Sequence, residues 1–174
     1  MAGIYGIDPF FTYTYEDSSF NIASSCQESF DPQLLMGYLE RYHPKFTKIV
    51  HGTNYYTGIF SDPQFRGTLF VPKEESIDES LFQNMDVNFC RRFVEYHTMD
   101  GYFPKNVLFT SPFQQLQSKI KGQSITSALY QFPQSNNEYS LVLNNQSMVD
   151  VFDIRVKNAF LHILSSPLSI PFFA

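Results

Sequence analysis

A chain of 174 residues is long enough for one domain with a sizeable core and too short for a second full one. With 43% hydrophobic and 17% charged residues it has the composition of a globular protein, and its net charge of −5 repels a phosphate backbone, which excludes nucleic acid as a partner. No apolar run approaches the roughly 20 residues that cross a bilayer, so no membrane span is expected, and Cys26 and Cys90 alone make neither a metal cage nor a disulfide scaffold.

Residues 1–30 read as an extended, aromatic-rich arm. Phe10, Phe11, Tyr13 and Tyr15 show no helical period, and Tyr13 and Tyr15 alternate with Thr12 and Thr14 as in a strand able to pair with a sheet edge. The arm lacks the basic start and unbroken apolar stretch of a secretion signal, so the expected location is inside a cell or within a particle. Asp31-Pro32 predicts a helix start, and Leu34, Leu35, Tyr38, Leu39 and Tyr42 give that helix one apolar face as far as about His43. Pro44 interrupts it, a second short helix follows over Phe46, Ile49 and Val50, and Gly52 is placed to end it. Residues 53–66 read as loop.

Residues 68–71 predict an apolar strand stopped by Pro72, with a brief helix over 76–85 entered through Glu74 and Glu75. Phe89, Cys90, Phe93, Val94 and His97 share a helical stripe from Asp86 to about Met99, ended by Asp100-Gly101. Beyond it, 102–109 and 124–132 are predicted strands around a turn or helix over 112–118. Three alternating or apolar runs, 138–143, 147–154 and 159–164, are separated by Asn144-Asn145 and Lys157-Asn158, both suited to turns, which predicts an antiparallel meander. Helices first and strands last predict an α+β fold.

Three separated segments fall in the order and spacing of fasciclin-like domains. Thr68-Leu69-Phe70-Val71-Pro72 with Glu74-Glu75-Ser76-Ile77 resembles the family's opening strand and helix entry, and Tyr96-His97 before Gly101 resembles its tyrosine-histidine box. Asp153-Ile154, then Asn158-Ala159-Phe160-Leu161-His162-Ile163-Leu164 and a trailing Leu168 to Pro171, is similar to the closing box and its proline. Ala159 stands where that box usually has glycine, Ser165 where it often has aspartate, and the central threonine-glycine segment is reduced to Lys121-Gly122. The resemblance covers about residues 31–171. It implies a wedge of short antiparallel strands flanked by helices over 31–174, behind the arm of 1–30, used for adhesion and protein contacts and usually found outside cells. It picks out Thr68, Pro72, His97, Asn158 and His162 as structural positions of the family motifs, and Tyr96-His97 resembles a segment linked to receptor-mediated adhesion.

No catalytic, metal or cofactor residue is assigned. His43 and His51 match no helical metal-ligand spacing, adjacent Glu74 and Glu75 point apart, and neither a nucleophile elbow nor a phosphate loop occurs. The candidate interaction residues are Phe10, Phe11, Tyr13, Tyr15, Tyr96, His97, Phe172 and Phe173, with a packed core role as the other reading of His97 and His162. Asn145-Gln146-Ser147 is a glycosylation sequon on a predicted turn. Cys26 and Cys90 read as buried thiols, with a bridge between them as the alternative. The leading expectation is a non-catalytic interaction module in a larger assembly, such as a virus particle shell, whose partners are copies of itself or other components. A secreted or surface adhesion domain is the alternative, and a small-ligand binder or enzyme on this fold, marked by a deep polar pocket, is the third reading.

Overall fold

The computed structural model describes residues 29–82, 86–132 and 138–170. It enters on a short strand, β1 (Ser29–Phe30), running parallel to Ile154–Arg155. Asp31 does not start the first helix. Its carboxylate folds onto Gln33, accepting the backbone and side-chain amides at 3.0 Å each, and α1 (Leu35–Tyr42) begins later. The free Leu35 amide is capped instead by Asn158 Oδ1 at 2.8 Å, a partner from near the other end of the chain. In α2 (Pro44–Gly52) proline occupies the first turn, where its missing N–H costs nothing, and the Glu74 carboxylate accepts the Lys45 amide at 3.0 Å.

The loop expected over 53–66 contains a helix, α3 (Tyr56–Phe60), because Thr53 Oγ1 accepts the Tyr56 amide at 2.9 Å and both Tyr56 and Phe60 find the core. After β2 (Gly67–Pro72), the brief helix expected over 76–85 is divided into a 3-10 turn at Glu74–Ser76 and α4 (Glu79–Phe82). Asp86 caps α5 (Val87–Tyr96), its Oδ1 accepting the Phe89 amide at 2.8 Å. This helix stops short of Met99 because Thr98–Asp100 leaves it to pair with β2 as β3. The assignments over 102–118 are exchanged. Pro104, whose ring supplies no amide, precedes a short helix, α6 (Lys105–Leu108), where a strand was expected, whereas Phe113–Gln117, expected as turn or helix, pairs with its successor as β4. The meander follows as β5 (Ser124–Gln131), β6 (Tyr139–Leu143), β7 (Ser147–Val156) and β8 (Ala159–Leu164).

The sheet runs in the order β3-β2-β8-β7-β6-β5-β4, with β1 beside β7. Neighbours are antiparallel except for β2 with β8 and β1 with β7, which are parallel. Side chains alternate across the pleat, so Leu69 and Val71 of β2 face the helices with Leu39, Phe46, Val50 and Phe93, while Phe70 faces a second core with Tyr96, Leu116, Ile125 and Leu141. The pairing of β7 with β8 slips twice between Val149 and Ile154, and Asp153 adopts φ 62° in the slip. Such a bulge bends the strand, which here pairs with β6 at its start and with β1 near its end.

Candidate interaction surface

The motif residues lie inside the domain, at crossing points between elements. Thr68 Oγ1 donates to the Gly101 carbonyl at 2.8 Å and accepts the Phe103 amide at 2.9 Å, pinning the segment after β3 to β2. Pro72 ends β2 opposite Leu164. Asn158 is fully buried; besides capping α1, its Nδ2 donates to the carbonyls of Phe60 at 3.2 Å and Asp62 at 2.9 Å. One side chain therefore ties the β7–β8 turn to α1 and to the end of α3.

Both motif histidines are fully buried, each with one ring nitrogen donating and the other accepting. His97 stacks on Phe93 at 4.4 Å, donates from Nδ1 to the Phe93 carbonyl at 2.8 Å and accepts the Leu168 amide on Nε2 at 3.0 Å. Burial pushes its pKa down to about 4. His162 donates from Nε2 to the Phe103 carbonyl at 2.8 Å and accepts the Asp153 amide on Nδ1 at 3.1 Å, with burial again holding it neutral. Tyr96 is 2% exposed, and its hydroxyl donates to the Ser124 carbonyl at 2.9 Å and accepts from Asn144 Nδ2 at 2.8 Å. In this conformation Tyr96 and His97 present no surface to a partner, since both rings are committed to the core.

What the domain exposes is elsewhere. The strands β4, β5 and β6 contain no charged residue. Their registers set Phe113 opposite Ala128, Ala128 opposite Val142, and Val142 opposite Met148 of β7, so one apolar row crosses four strands on a single face. Phe113 is 59% exposed and Met148 36%. Tyr130 and Phe132, 43% and 40% exposed, extend the row along β5 with ring centroids 6.2 Å apart. The signal was present in the sequence: between Lys105 and Asp150 only Lys119, Lys121 and Glu138 are charged. A scan for motifs passes over it because the row is assembled by strand register.

Asn145 lies exposed at the tip of the β6–β7 turn with φ 51°, its Oδ1 accepting the Tyr130 hydroxyl at 2.9 Å. The sequon hydroxyl of Ser147 is buried and donates to the Ser166 carbonyl at 2.7 Å. Phe10, Phe11, Tyr13, Tyr15, Phe172, Phe173 and Cys26 lie outside the described residues, and Cys90 is buried. Among the described residues no three His, Cys, Asp or Glu converge as metal ligands do, and no helix is long and apolar enough to cross a membrane.

A family model, the Fasciclin domain, matches residues 44–171. Among solved structures the chain is similar to the FAS1 domain pair from the insect cell adhesion molecule fasciclin I, with a TM-score of 0.61 and 18% identity over 79% of this chain and 51% of that one. The chain thus spans about half the length of that pair, and the likeness is one of fold. No curated protein matches it.

Proposed function

The chain belongs to the fasciclin-domain family, a family of cell-adhesion and protein-interaction modules, and on that premise we propose that it is a non-catalytic module built into a larger protein assembly. One observation carries this reading: an apolar row runs from Phe113 across Ala128 and Val142 to Met148, exposed at both its ends, with the exposed rings of Tyr130 and Phe132 beside it. Contiguous apolar surface of this kind is costly to leave in water and typical of contact sites, where rigid aromatic rings contribute most. The aromatic groups Phe10, Phe11, Tyr13 and Tyr15, and Phe172 with Phe173, are further anchors in this reading. Tyr96 serves it from within by tying the start of β5 to the β6–β7 turn. A particle shell, such as a virus's, is the kind of assembly such a module suits.

The test is the solution mass of the full chain over a concentration series, beside the chain lacking residues 1–25. Mass that grows with concentration supports the assembly reading. Its loss on truncation assigns the contact to the arm, and its persistence assigns it to the folded face or to Phe172 and Phe173. Monomers at every concentration would turn the reading toward a surface adhesion domain, which the exposed turn position of Asn145 also favours. That second reading expects a glycosidase-sensitive mass shift after expression through a secretory route. Because the Ser147 hydroxyl is buried and bonded, the glycan has to be added before the domain closes.

A further inference from the structure

We propose that segment 10–15 of the arm folds back within its own chain over the apolar row that runs from Phe113 to Met148, and covers it until a partner displaces it; this rests on the assembly reading and names what regulates its contact.

Chain direction brings the arm to this place. β8 takes one edge of β7 from Val149 to Val156, so β6 and β1 share the other, β6 at Ser147 and Met148 and β1 at Ile154 and Arg155. Because β1 runs parallel to β7, the chain enters Ser29 from the side on which Met148 lies. The row itself is turned away from the second core, since its residues alternate along the strands with Leu116, Ile125, Leu141 and Leu143, which that core contains. Ile154, opposite Ser29, is six residues from Met148, about 20 Å along β7, and three strand spacings add about 14 Å to Phe113. Tyr15 stands 14 residues before Ser29, and that length of chain spans up to about 46 Å, so the rings of 10–15 reach every part of the row.

Charge and tether select the occupant. Residues 1–28 contain Asp8, Glu16, Asp17 and Glu28 and no lysine or arginine, so they hold most of the chain's net charge of −5, yet none of it falls in 10–15. Phe10, Phe11, Tyr13 and Tyr15 thus form an uncharged aromatic stretch with Asp8 on one side and Glu16-Asp17 on the other. The part of the domain that carries the row, 105–149, has the opposite balance, with Lys105, Lys119 and Lys121 against Glu138. Lys119 is already met by Asp100 at 2.6 Å, but Lys105 Nζ lies over the Phe152 ring of β7 at 5.0 Å and Lys121 is exposed in the β4–β5 turn, so each end strand of the row has a cation beside it. A separate copy has to bring a like net charge to this face, whereas the arm is held beside it by its own chain, at an effective concentration of about millimolar.

The experiment compares the full-length chain with two variants at concentrations where light scattering gives a monomer. The first combines Phe10→Ser, Phe11→Ser, Tyr13→Ser and Tyr15→Ser; the fluorescence of Nile red, an uncharged dye that lights up on apolar surface, is expected to exceed that of wild type by about threefold or more. The second combines Phe113→Asp and Phe132→Asp, at side chains 59% and 40% exposed, and sets acids on and beside the row against those of the arm. Chymotrypsin, which cuts after phenylalanine and tyrosine, is expected to cleave within 10–15 about tenfold faster in it than in wild type. If the second variant fails to fold, the first decides alone. Equal dye fluorescence, or equal cleavage in a folded row variant, overturns the proposal, as does protection of the arm that appears only as concentration rises, which places it on a second copy. These outcomes leave the assembly reading to its own test of mass against concentration; where both hold, the ring variant associates at lower concentration than wild type. A ring variant that gains dye yet stays monomeric keeps the cover and counts against association of like chains.

Discussion

Each buried histidine is tied by two hydrogen bonds that only the neutral ring can make. A proton on His97 Nε2 would face the Leu168 amide, donor against donor. In the unfolded chain the ring titrates near its usual 6.5, while in the fold burial holds it at about 4. The stability this contributes is therefore present above pH 6.5 and is lost as pH falls through that value toward 4, amounting to about 2–3 kcal/mol. Urea unfolding at pH 7 and pH 4.5 should show that loss. A His97→Gln variant, less stable at pH 7, should show a smaller difference between the two. The sequence marked His97, His162, Thr68 and Asn158 through their family motifs. It did not disclose their partners, because Leu168, Asp153, Phe103 and Leu35 are brought to them by tertiary folding.

Two aspartates with the same local signal have different outcomes. Asp86 caps α5, whereas Asp31 turns back on Gln33 and leaves the start of α1 to Asn158. Local capping chemistry is thus legible only where no distant side chain competes for the same amide. Strand or helix for β4 was likewise decided by a neighbour: three glutamines carry weak strand preference, and pairing with β5 overrides it. Packing between α2 and α5 sets a tighter constraint. A Cβ on Gly52 would stand 2.9 Å from Cys90 Sγ and 3.5 Å from its Cβ, so the helices meet where one of them has no side chain. Gly52→Ala is expected to destabilise the domain by about 1–3 kcal/mol through overpacking. Adding Cys90→Ala should recover part of that loss, a coupling that denaturation of the two single variants and the double variant would measure.

Across the whole molecule, the α+β class and the closing meander were legible because each meander strand pairs with its successor, separated from it by turn residues that announce themselves. The strand order was not. Placing β2 beside β8 in parallel is a long-range choice that no local pattern encodes, and it closes the first core over residues from both ends of the described chain. The exposed apolar patch was hidden for the same reason, since its four strands contribute one or two residues each.

The parallel pairing of β2 with β8 also bears on how the protein is made. Gly67 pairs with Ala159 and Pro72 with Leu164, so a ribosome has synthesised almost the whole domain before β2 can find its partner. Until then β2 has only β3 beside it, along Gly67–Leu69, and Val71 has no strand neighbour, a delay that topologies rich in distant contacts impose. Nascent chains stalled at successive lengths are expected to stay protease-sensitive until β8 clears the exit tunnel, and then to become resistant in a single step. Resistance gained already when β6 emerges would show that the first half folds without its closing strand.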